Sequence, residues 1–152
     1  DDEIVLPAHE RTSLTRVCDF GQEVNLIALT AHFHSRGERL RVWAWDPASG
    51  QVGEPDYDPL YVNTTWDAPP FYTVGDPQLP AVWQEPIKLT GIKMISEYFN
   101  FEDREIVWGN YVQDNEHFET FPFFYPYLGL DWECQCHREG EAGECEEEGE
   151  EG

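Results

Sequence analysis

The chain has 152 residues, of which 40% are hydrophobic and 14% aromatic, and this composition fits one domain with a substantial core. Its formal net charge of −22 argues against nucleic acid and anionic membranes as partners, because phosphate contacts need Lys and Arg. No apolar run approaches the length of a transmembrane helix, so no membrane span is predicted.

Much of the acidic excess lies near the C-terminus. Residues 139–152 are nearly all Glu and Gly, with Cys145 among them. Such a run repels itself and is typical of disordered segments. We therefore predict a folded domain over residues 1–132 and an acidic, cysteine-containing, disordered tail over residues 133–152.

Short strands separated by turn residues account for the first half of the domain. Segment 39–45 alternates between two faces, which predicts a strand, and the apolar segment 24–33 before it also favours a strand over a helix. Residues 35–38 would then form a hairpin turn in which Gly37 takes positive φ. Further strands are predicted at 4–6, 13–18 and 60–66, with turns at 19–22 and 46–50 and a loop at 51–59.

The second half follows the same pattern. Strands are predicted at 71–74, 82–89, 92–99, 105–108 and 116–121, with turns at 90–91 and 100–104, a loop at 109–115 and an aromatic segment at 122–130. Eight or nine short strands without a convincing helix indicate an all-β protein built as an antiparallel sandwich or barrel. We interpret the domain as one β-sandwich.

Two histidines, His32 and His34, lie two residues apart at the end of an apolar run. In an extended strand such residues project from the same face, where two imidazoles can chelate a metal. The alternative is a pair of ordinary half-buried strand histidines. A metal site would need a third ligand from elsewhere in the chain.

The chain offers three further histidines, which are His9, His117 and His137. His117 is the best placed, because it lies on a late predicted strand that can neighbour the His pair in a sandwich. Neutral imidazoles suit copper or zinc. Spacing alone leaves His9 and His137 open as alternatives to His117 for the third ligand beside His32 and His34.

The chain contains four cysteines, which are Cys18, Cys134, Cys136 and Cys145. An even number in a short chain fits disulfides in an oxidising compartment, so the protein is predicted to be secreted, periplasmic or at the cell surface. The run Cys134-Gln135-Cys136-His137 can also be read as a set of metal ligands. Disulfides are favoured, because Cys18 otherwise has no evident role.

The stretch His32-Phe33-His34-Ser35-Arg36-Gly37 resembles the His-x-His-x-x-Gly motif in the C-terminal domain of copper type II, ascorbate-dependent monooxygenases. This family includes peptidylglycine α-hydroxylating monooxygenase and dopamine β-monooxygenase, and the likeness is greater to its bacterial members. Further segments that resemble the family, in the order in which the family has them, are Arg39–Trp45, Asp46–Gly50, Asn63–Trp66, Leu79-Pro80, Tyr98-Phe99-Asn100, Val107-Trp108-Gly109 and Asn115-Glu116-His117. The resemblance covers roughly residues 15–125.

The resemblance implies an eight-stranded, antiparallel, jelly-roll-like β-sandwich that holds one copper. In the family this copper is the site of dioxygen binding and C–H hydroxylation of a small organic substrate, and an upstream copper domain supplies electrons from ascorbate. Such an upstream domain or redox partner is therefore expected here. The resemblance also implies a Cys18–Cys134 disulfide, which would leave Cys136 to pair with Cys145.

The chain departs from the family at the ligands and at the substrate. His117 takes the position of the methionine ligand, and the single methionine, Met94, is expected in the core. The peptide-processing members hold a substrate carboxylate with Arg, Asn and Tyr, and the matching positions here are Thr30, Glu119 and Phe121. A three-histidine site should favour Cu(II) and makes zinc a credible occupant.

Three functional hypotheses follow. The first is a copper-dependent monooxygenase domain, the second a non-catalytic copper or zinc module for storage, delivery or sensing, and the third a recognition domain with vestigial histidines. The six Trp residues and the Phe and Tyr residues of 118–127 are interpreted as core rather than as an aromatic substrate surface. Arg36 is interpreted as a turn residue paired to a carboxylate rather than as an anion ligand.

Overall fold

The computed structural model describes residues 4–46, 50–51, 59–129 and 133–136. This part contains ten β-strands and one short 3-10 turn, and no α-helix lies within it. The strands are β1 (Val5–Leu6), β2 (Arg11–Phe33), β3 (Gly37–Asp46), β4 (Gly50–Gln51), β5 (Tyr61–Asn63), β6 (Phe71–Thr73), β7 (Ile87–Phe99), β8 (Ile106–Val107), β9 (Phe118–Tyr125) and β10 (Glu133–Cys136). None of the helical structure described is long and apolar enough to cross a membrane.

The 23-residue strand β2 is the element on which the sheet is built. Strand β7 pairs with β2 and with β3. Strand β10 pairs with residues 16–19 of β2, which also pair with β7, while β6 and β9 pair with the second half of β2. Every one of these pairings is antiparallel. The sheets curl into a half-barrel, which confirms the predicted all-β class and is consistent with a β-sandwich.

The predicted turn at 19–22 is wrong, because the chain runs through it as a single strand. The register of β2 against β7 shifts between Asp19 and Val24, which marks a β-bulge. Gly21 has φ 71° and donates its N–H to the Asp19 carboxylate at 2.7 Å. A bulge bends and twists the strand that contains it. The first half of β2 can thus meet β10 while the second half meets β9.

Two other glycines, Gly37 and Gly91, are predicted to lie in turns. In the structure, close packing explains why each of these positions is a glycine. The predicted turn at 90–91 is wrong, since β7 is continuous and a Cβ on Gly91 would lie 2.4 Å from the Cys18 carbonyl oxygen. The predicted positive φ of Gly37 is wrong as well. A Cβ on Gly37 would lie 1.9 Å from the ring of Phe33, so the side chain is excluded by contact.

The predicted strand at 82–89 begins later than expected. Residues Ala81–Gln84 form the 3-10 turn, and β7 starts only at Ile87. Trp83 is fully buried there and donates its indole N–H to the Leu60 carbonyl at 2.8 Å. Burial of this one indole overrides the weak strand propensity of the segment.

The core lies on the concave side of the curled sheet and includes Leu26, Leu29, Phe33, Val42 and Ile92. Met94 is buried as predicted, as are Trp43 and Trp83. The core prediction is wrong for other aromatic residues. Of the residues predicted to be core, those exposed by more than a third are Trp66, Trp108, Phe121, Phe123, Tyr125 and Tyr127. Trp132 lies outside the described residues.

The Cys18–Cys134 disulfide is confirmed. It joins directly opposite residues of β2 and β10, so Cys134 is not a free metal ligand. Residues 133–136, which lie in the predicted tail, form β10 and pair with β2. Cys145, His137 and the rest of the predicted tail lie outside the described residues, and the Cys136–Cys145 pairing therefore stays a prediction.

Candidate metal centre

Three histidines from two distant parts of the chain meet at the end of β2. His32 lies in β2, His34 lies just beyond it, and His117 directly precedes β9. The pairing of Phe33 with Phe118 brings the two chain segments side by side. One ring nitrogen of each histidine lies within 4.8 Å of those of the other two, which is close enough for the group to bind a metal ion.

Among the described residues, the structure brings His117 and not His9 to the third position. His9 lies elsewhere and contacts the Asp103 carboxylate at 2.7 Å. His137 lies outside the described residues. The three rings of His32, His34 and His117 have centroid separations of 5.2, 5.1 and 4.0 Å, so they form one compact cluster.

Backbone carbonyls determine which nitrogen of two of the rings is available. The His34 Nδ1 lies 3.0 Å from the Asn115 carbonyl oxygen, and the His117 Nδ1 lies 3.0 Å from that of Gly109. A carbonyl oxygen only accepts, so each Nδ1 carries the proton and donates it. The neutral ring then keeps its lone pair on Nε2, the arrangement that metal-binding histidines use.

The cluster is accessible from the side of His32. His34 and His117 are buried, whereas His32 is half-buried. Burial lowers the pKa of His32, and the nearby His117 lowers it further. Burial is also the main cause that lowers the pKa of His34. Both rings are therefore held in the neutral form that a metal requires.

Glu116 is a site residue that the sequence reasoning missed. Its side chain is fully buried beside His117 and accepts the backbone N–H groups of His34 and Arg36. Burial raises the pKa of Glu116 to about 7, although those hydrogen bonds oppose the shift. Its place in the run Asn115-Glu116-His117 was visible, but nothing local showed that it would bond to a segment 82 residues away.

Arg36 joins the histidine pair to the loop that carries the two carbonyls. It is 3% exposed and forms an ion pair with Glu102 at 2.6 Å, which confirms the predicted carboxylate partner. Its guanidinium also donates to the carbonyls of Val112, Gln113 and Asn115 at 2.8, 2.6 and 3.1 Å. One buried cation thus secures the loop that orients His34 and His117.

The chain next to His32 is held by side chains from β5. The Tyr61 hydroxyl accepts the N–H of Ala31 at 3.1 Å, and the Asn63 amide donates to the carbonyl of Ala31 at 2.9 Å. Both of these side chains are completely buried. Such bonds hold the backbone of β2 just beyond Thr30, where its pairing with β6 ends.

The sheet face beside His32 is acidic at one point and aromatic beyond it. His32 lies opposite Glu119, and the next same-face pair is Thr30 with Phe121. Phe71 lies on the other side of Thr30, and its ring is 5.8 Å from that of Phe123. The three positions matched to the family's carboxylate clamp therefore carry a hydroxyl, a carboxylate and a phenyl ring. The Thr30 hydroxyl already donates to the Pro70 carbonyl at 2.9 Å.

Three imidazoles in a partly open cluster suit copper or zinc, and a fourth coordination position would remain for an outside ligand. Comparison with family models, with curated proteins and with solved structures gave no match to this chain. The site's own chemistry is therefore the basis for assigning a function.

Proposed function

We propose that this chain is a copper-binding domain with a mononuclear His-His-His site, similar in role to the oxygen-activating domain of copper type II monooxygenases. The observation that carries the proposal is the convergence of His32, His34 and His117, with ligand atoms within 4.8 Å of one another. Bound copper would supply one-electron chemistry toward dioxygen for hydroxylation of a C–H bond.

The protein's own contribution is to hold three imidazoles in place before the metal arrives. The carbonyls of Gly109 and Asn115 each retain one Nδ1 proton, which directs Nε2 lone pairs into the cluster. The Glu116 carboxylate fixes the backbone at His34. Because these groups are already ordered, less free energy is spent on arranging ligands when the metal binds.

The half-exposed side of His32 offers an approach for a small organic substrate. Phe71 and Phe121 flank Thr30 there, and both rings are exposed. Glu119, opposite His32, would repel a carboxylate. We therefore expect an apolar substrate without an anionic group near the reacting carbon, together with an upstream copper domain or separate redox partner that supplies electrons.

The second candidate function is a non-catalytic copper or zinc module for storage, delivery or sensing. One observation favours it: an imidazole, His117, stands where the family has a soft thioether. A thioether favours Cu(I), whereas three imidazoles suit Cu(II) and zinc. The Cys18–Cys134 disulfide supports a secreted, periplasmic or cell-surface location for either function.

Metal analysis with EPR after addition of Cu(II) tests the site. The wild type should take up one equivalent with nitrogen hyperfine coupling from imidazoles, and His117→Ala should lose tight binding. The matched control is His9→Asn, since His9 has φ 59° and Asn tolerates that conformation. Tight binding that survives in His117→Ala would reject the three-histidine site.

Oxygen uptake separates the two candidates. The copper-loaded chain, given ascorbate and an apolar aromatic compound, should consume dioxygen and form a hydroxylated product if it is an oxygenase. Unchanged copper binding without product formation, in the presence of a competent electron donor, would favour the storage, delivery or sensing module. Stoichiometric zinc in the chain purified without added metal would favour the same module.

A further inference from the structure

A row of exposed aromatic rings runs along β9, away from the histidine cluster. Phe121, Phe123 and Tyr125 are 45, 47 and 49% exposed, and they lie two apart, so they project from the same face of the strand. Glu119 precedes them in the same alternation and lies directly opposite the metal ligand His32. Residues directly opposite each other share one face of a sheet. The rings therefore begin next to the metal centre and lie on its face of the sheet.

Strand β6 widens this row. Phe71 of β6 and Phe121 of β9 lie on either side of Thr30, and the ring of Phe71 is 5.8 Å from that of Phe123. Phe71 is itself exposed. The four rings of Phe71, Phe121, Phe123 and Tyr125 are called the aromatic stripe below. An exposed apolar patch of this kind indicates a surface that binds a ligand or partner.

A cation lies at the far end of the aromatic stripe. Tyr125 pairs with Asn25, and on its other side Asn25 pairs with Lys88 of β7, so these three residues form one row across the sheet. Lys88 is exposed and forms no ion pair with any described residue, whereas the three exposed arginines of the described part each contact a carboxylate. The stripe thus ends at an ammonium group, which is a suitable partner for an anionic head group.

The two ends of the aromatic stripe carry opposite charges. Glu119 lies beside His32 at the metal end, and Lys88 lies at the other end. The formal net charge of −22 opposes an anion at long range, but physiological salt screens charges more than about 8 Å apart. The groups at the stripe therefore determine orientation: an anionic head group is attracted to Lys88 and repelled by Glu119.

The length of the stripe indicates the length of its ligand. Glu119 and Tyr125 are six residues apart on β9, which corresponds to about 20 Å along a strand. An extended alkyl chain with C–C bonds of about 1.5 Å advances about 1.3 Å per carbon. A chain of about 16 carbons therefore spans the distance from the metal end to the row that contains Lys88.

We propose that the aromatic stripe binds an unbranched long-chain aliphatic carboxylate, with its carboxylate at Lys88 and its alkyl end at the histidine cluster. The chain lies on the rings of Phe71, Phe121 and Phe123, where binding removes apolar surface from water. Binding of the chain does not depend on the metal. The further assignment, that this is the substrate class and that its alkyl end reacts, rests on the proposed function.

Fluorine NMR of the full chain without added metal tests binding. Hexadecanoate that carries one fluorine on its terminal carbon is used below the concentration at which it aggregates. Its fluorine signal should shift to a plateau at one equivalent of protein. Cross-relaxation from this fluorine should reach the ring protons of His32, since the alkyl end is expected there.

The role of the cation is tested by Lys88→Gln. This change removes a charge-assisted hydrogen bond at an exposed site, so it should weaken carboxylate binding about threefold to tenfold. The affinity for the corresponding fluorinated hexadecanol, which has no charge, should not change. The matched control is Arg11→Gln, which changes the net charge equally at the start of β2 and should leave both affinities as in the wild type.

The role of the rings is tested by Phe123→Ala. Loss of its contact with the alkyl chain should weaken binding of both the carboxylate and the alcohol about fivefold to tenfold. Phe101→Ala is the control, because Phe101 is an exposed ring outside the aromatic stripe, on the turn after β7. It should leave both affinities unchanged.

Added Cu(II) gives a second measure of orientation. A paramagnetic ion in the histidine cluster should broaden the signal of a fluorine on the terminal carbon of the bound chain. It should broaden the signal much less when the fluorine is next to the carboxylate. If the protein takes up no copper, the proposed function fails, while the titrations without metal still decide whether the carboxylate binds as proposed.

The absence of a saturable fluorine shift would overturn the proposal, and so would an unchanged carboxylate affinity in Lys88→Gln. Cross-relaxation with His32 from a fluorine next to the carboxylate, rather than from the terminal one, would overturn the orientation. Sedimentation velocity tests another occupant. Self-association that Phe123→Ala abolishes, without carboxylate binding, would make the aromatic stripe an interface between copies of the chain and reject the proposal.

Discussion

At His34 and His117, the nitrogen available to a metal is decided by a backbone carbonyl rather than by the histidine itself. Each Nδ1 donates to a carbonyl of the segment 109–115, so each Nε2 keeps its lone pair. A neutral imidazole has no intrinsic preference strong enough to ensure this in an exposed setting. The chemistry of the cluster is therefore set by residues that are not ligands.

Replacing the third ligand with the residue found in the family should change which copper ion binds. His117→Met exchanges an imidazole for a soft thioether, which favours Cu(I). We expect Cu(II) affinity to fall by about tenfold to a hundredfold, a range seen even for changes outside the ligand set, while Cu(I) affinity is retained. Competition titrations with chromophoric chelators for each ion would measure both affinities.

The matched control is Phe121→Met, which places a methionine on the exposed face of β9 near the cluster. It should leave both affinities unchanged. An equal loss of Cu(I) and Cu(II) binding in His117→Met would contradict the ligand assignment and indicate disruption of the local fold.

Arg36 should matter for metal binding although it touches no metal. Arg36→Met removes the ion pair with Glu102 and three bonds to loop carbonyls. Breaking a buried pair by removing one partner typically costs about 3–5 kcal/mol of folding free energy, and loss of outer-shell support lowers metal affinity about tenfold to a hundredfold. Urea unfolding and a Cu(II) competition assay would measure the two effects.

Arg39→Met is the comparison for Arg36→Met. Arg39 forms an exposed ion pair with Glu97, and exposed pairs contribute about 1 kcal/mol or less. Hydrogen exchange of the amides in 110–115 should accelerate in Arg36→Met alone. Equal effects of the two substitutions would show that Arg36 has no special role in holding the loop.

At the scale of the elements, β7 binds β2 and β3 into one sheet, and a charge cluster reinforces one of these pairings. Arg39 of β3 lies opposite Glu97 of β7, and Arg41 also contacts that carboxylate at 3.6 Å. The hydrogen bond from Arg39 lowers the pKa of Glu97, against the opposing effect of partial burial. The contribution of Glu97 to stability must therefore depend on pH.

The sign follows from the direction of the pKa shift. A carboxyl group whose pKa is lowered by folding stabilises the protein above its unfolded pKa, and this stabilisation is lost as the pH falls through the lowered pKa. Glu97→Gln should be less stable than the wild type at neutral pH by about 1 kcal/mol or less, since the pair is partly exposed. The difference should disappear in acid.

Urea unfolding of both proteins over a range of pH would measure this difference. Glu23→Gln, at an exposed position of β2, is the control and should show no such pH-dependent difference. A gap between wild type and Glu97→Gln that persists in acid would contradict the assigned role of the Arg39–Glu97 pair.

Several elements were predictable because their signal is local. The strict alternation of segment 39–45 predicted β3, and the apolar segment 24–33 predicted the second half of β2. Such patterns can be recognised along the chain without knowing which strands lie beside each other. Gly21 and Gly91 misled the prediction, because turns, bulges and close strand contacts all favour glycine. Only the pairing of β2 with β7 distinguishes these cases.

At the scale of the whole molecule, the Cys18–Cys134 disulfide and the histidine cluster lie at different parts of β2. The disulfide attaches β10 to the first half of β2, whereas the cluster lies at its end. The bridge spans 116 residues of sequence, so it restricts the unfolded chain strongly. Stability and metal binding should therefore be separable.

The double variant Cys18→Ala/Cys134→Ala should show this separation. Loss of a native disulfide typically lowers the free energy of unfolding by about 2–5 kcal/mol. Cu(II) affinity, measured where the variant is still folded, should remain within about twofold of the wild type, since β10 pairs with residues 16–19 of β2 and the cluster lies at His32 and His34. A parallel drop in copper affinity would show that the two ends of β2 are coupled.

The sequence by itself determined the all-β class, the same-face His32–His34 pair, the favoured third ligand and the expectation of a Cys18–Cys134 bridge. These rest on periodicity, composition and a motif resemblance, all readable along the chain. Only the tertiary structure decided that His117 reaches the pair, which nitrogens are free, and that Glu116 and Arg36 secure them. The reason is that these contacts join segments about 80 residues apart, and pairing across such a distance depends on the whole sheet.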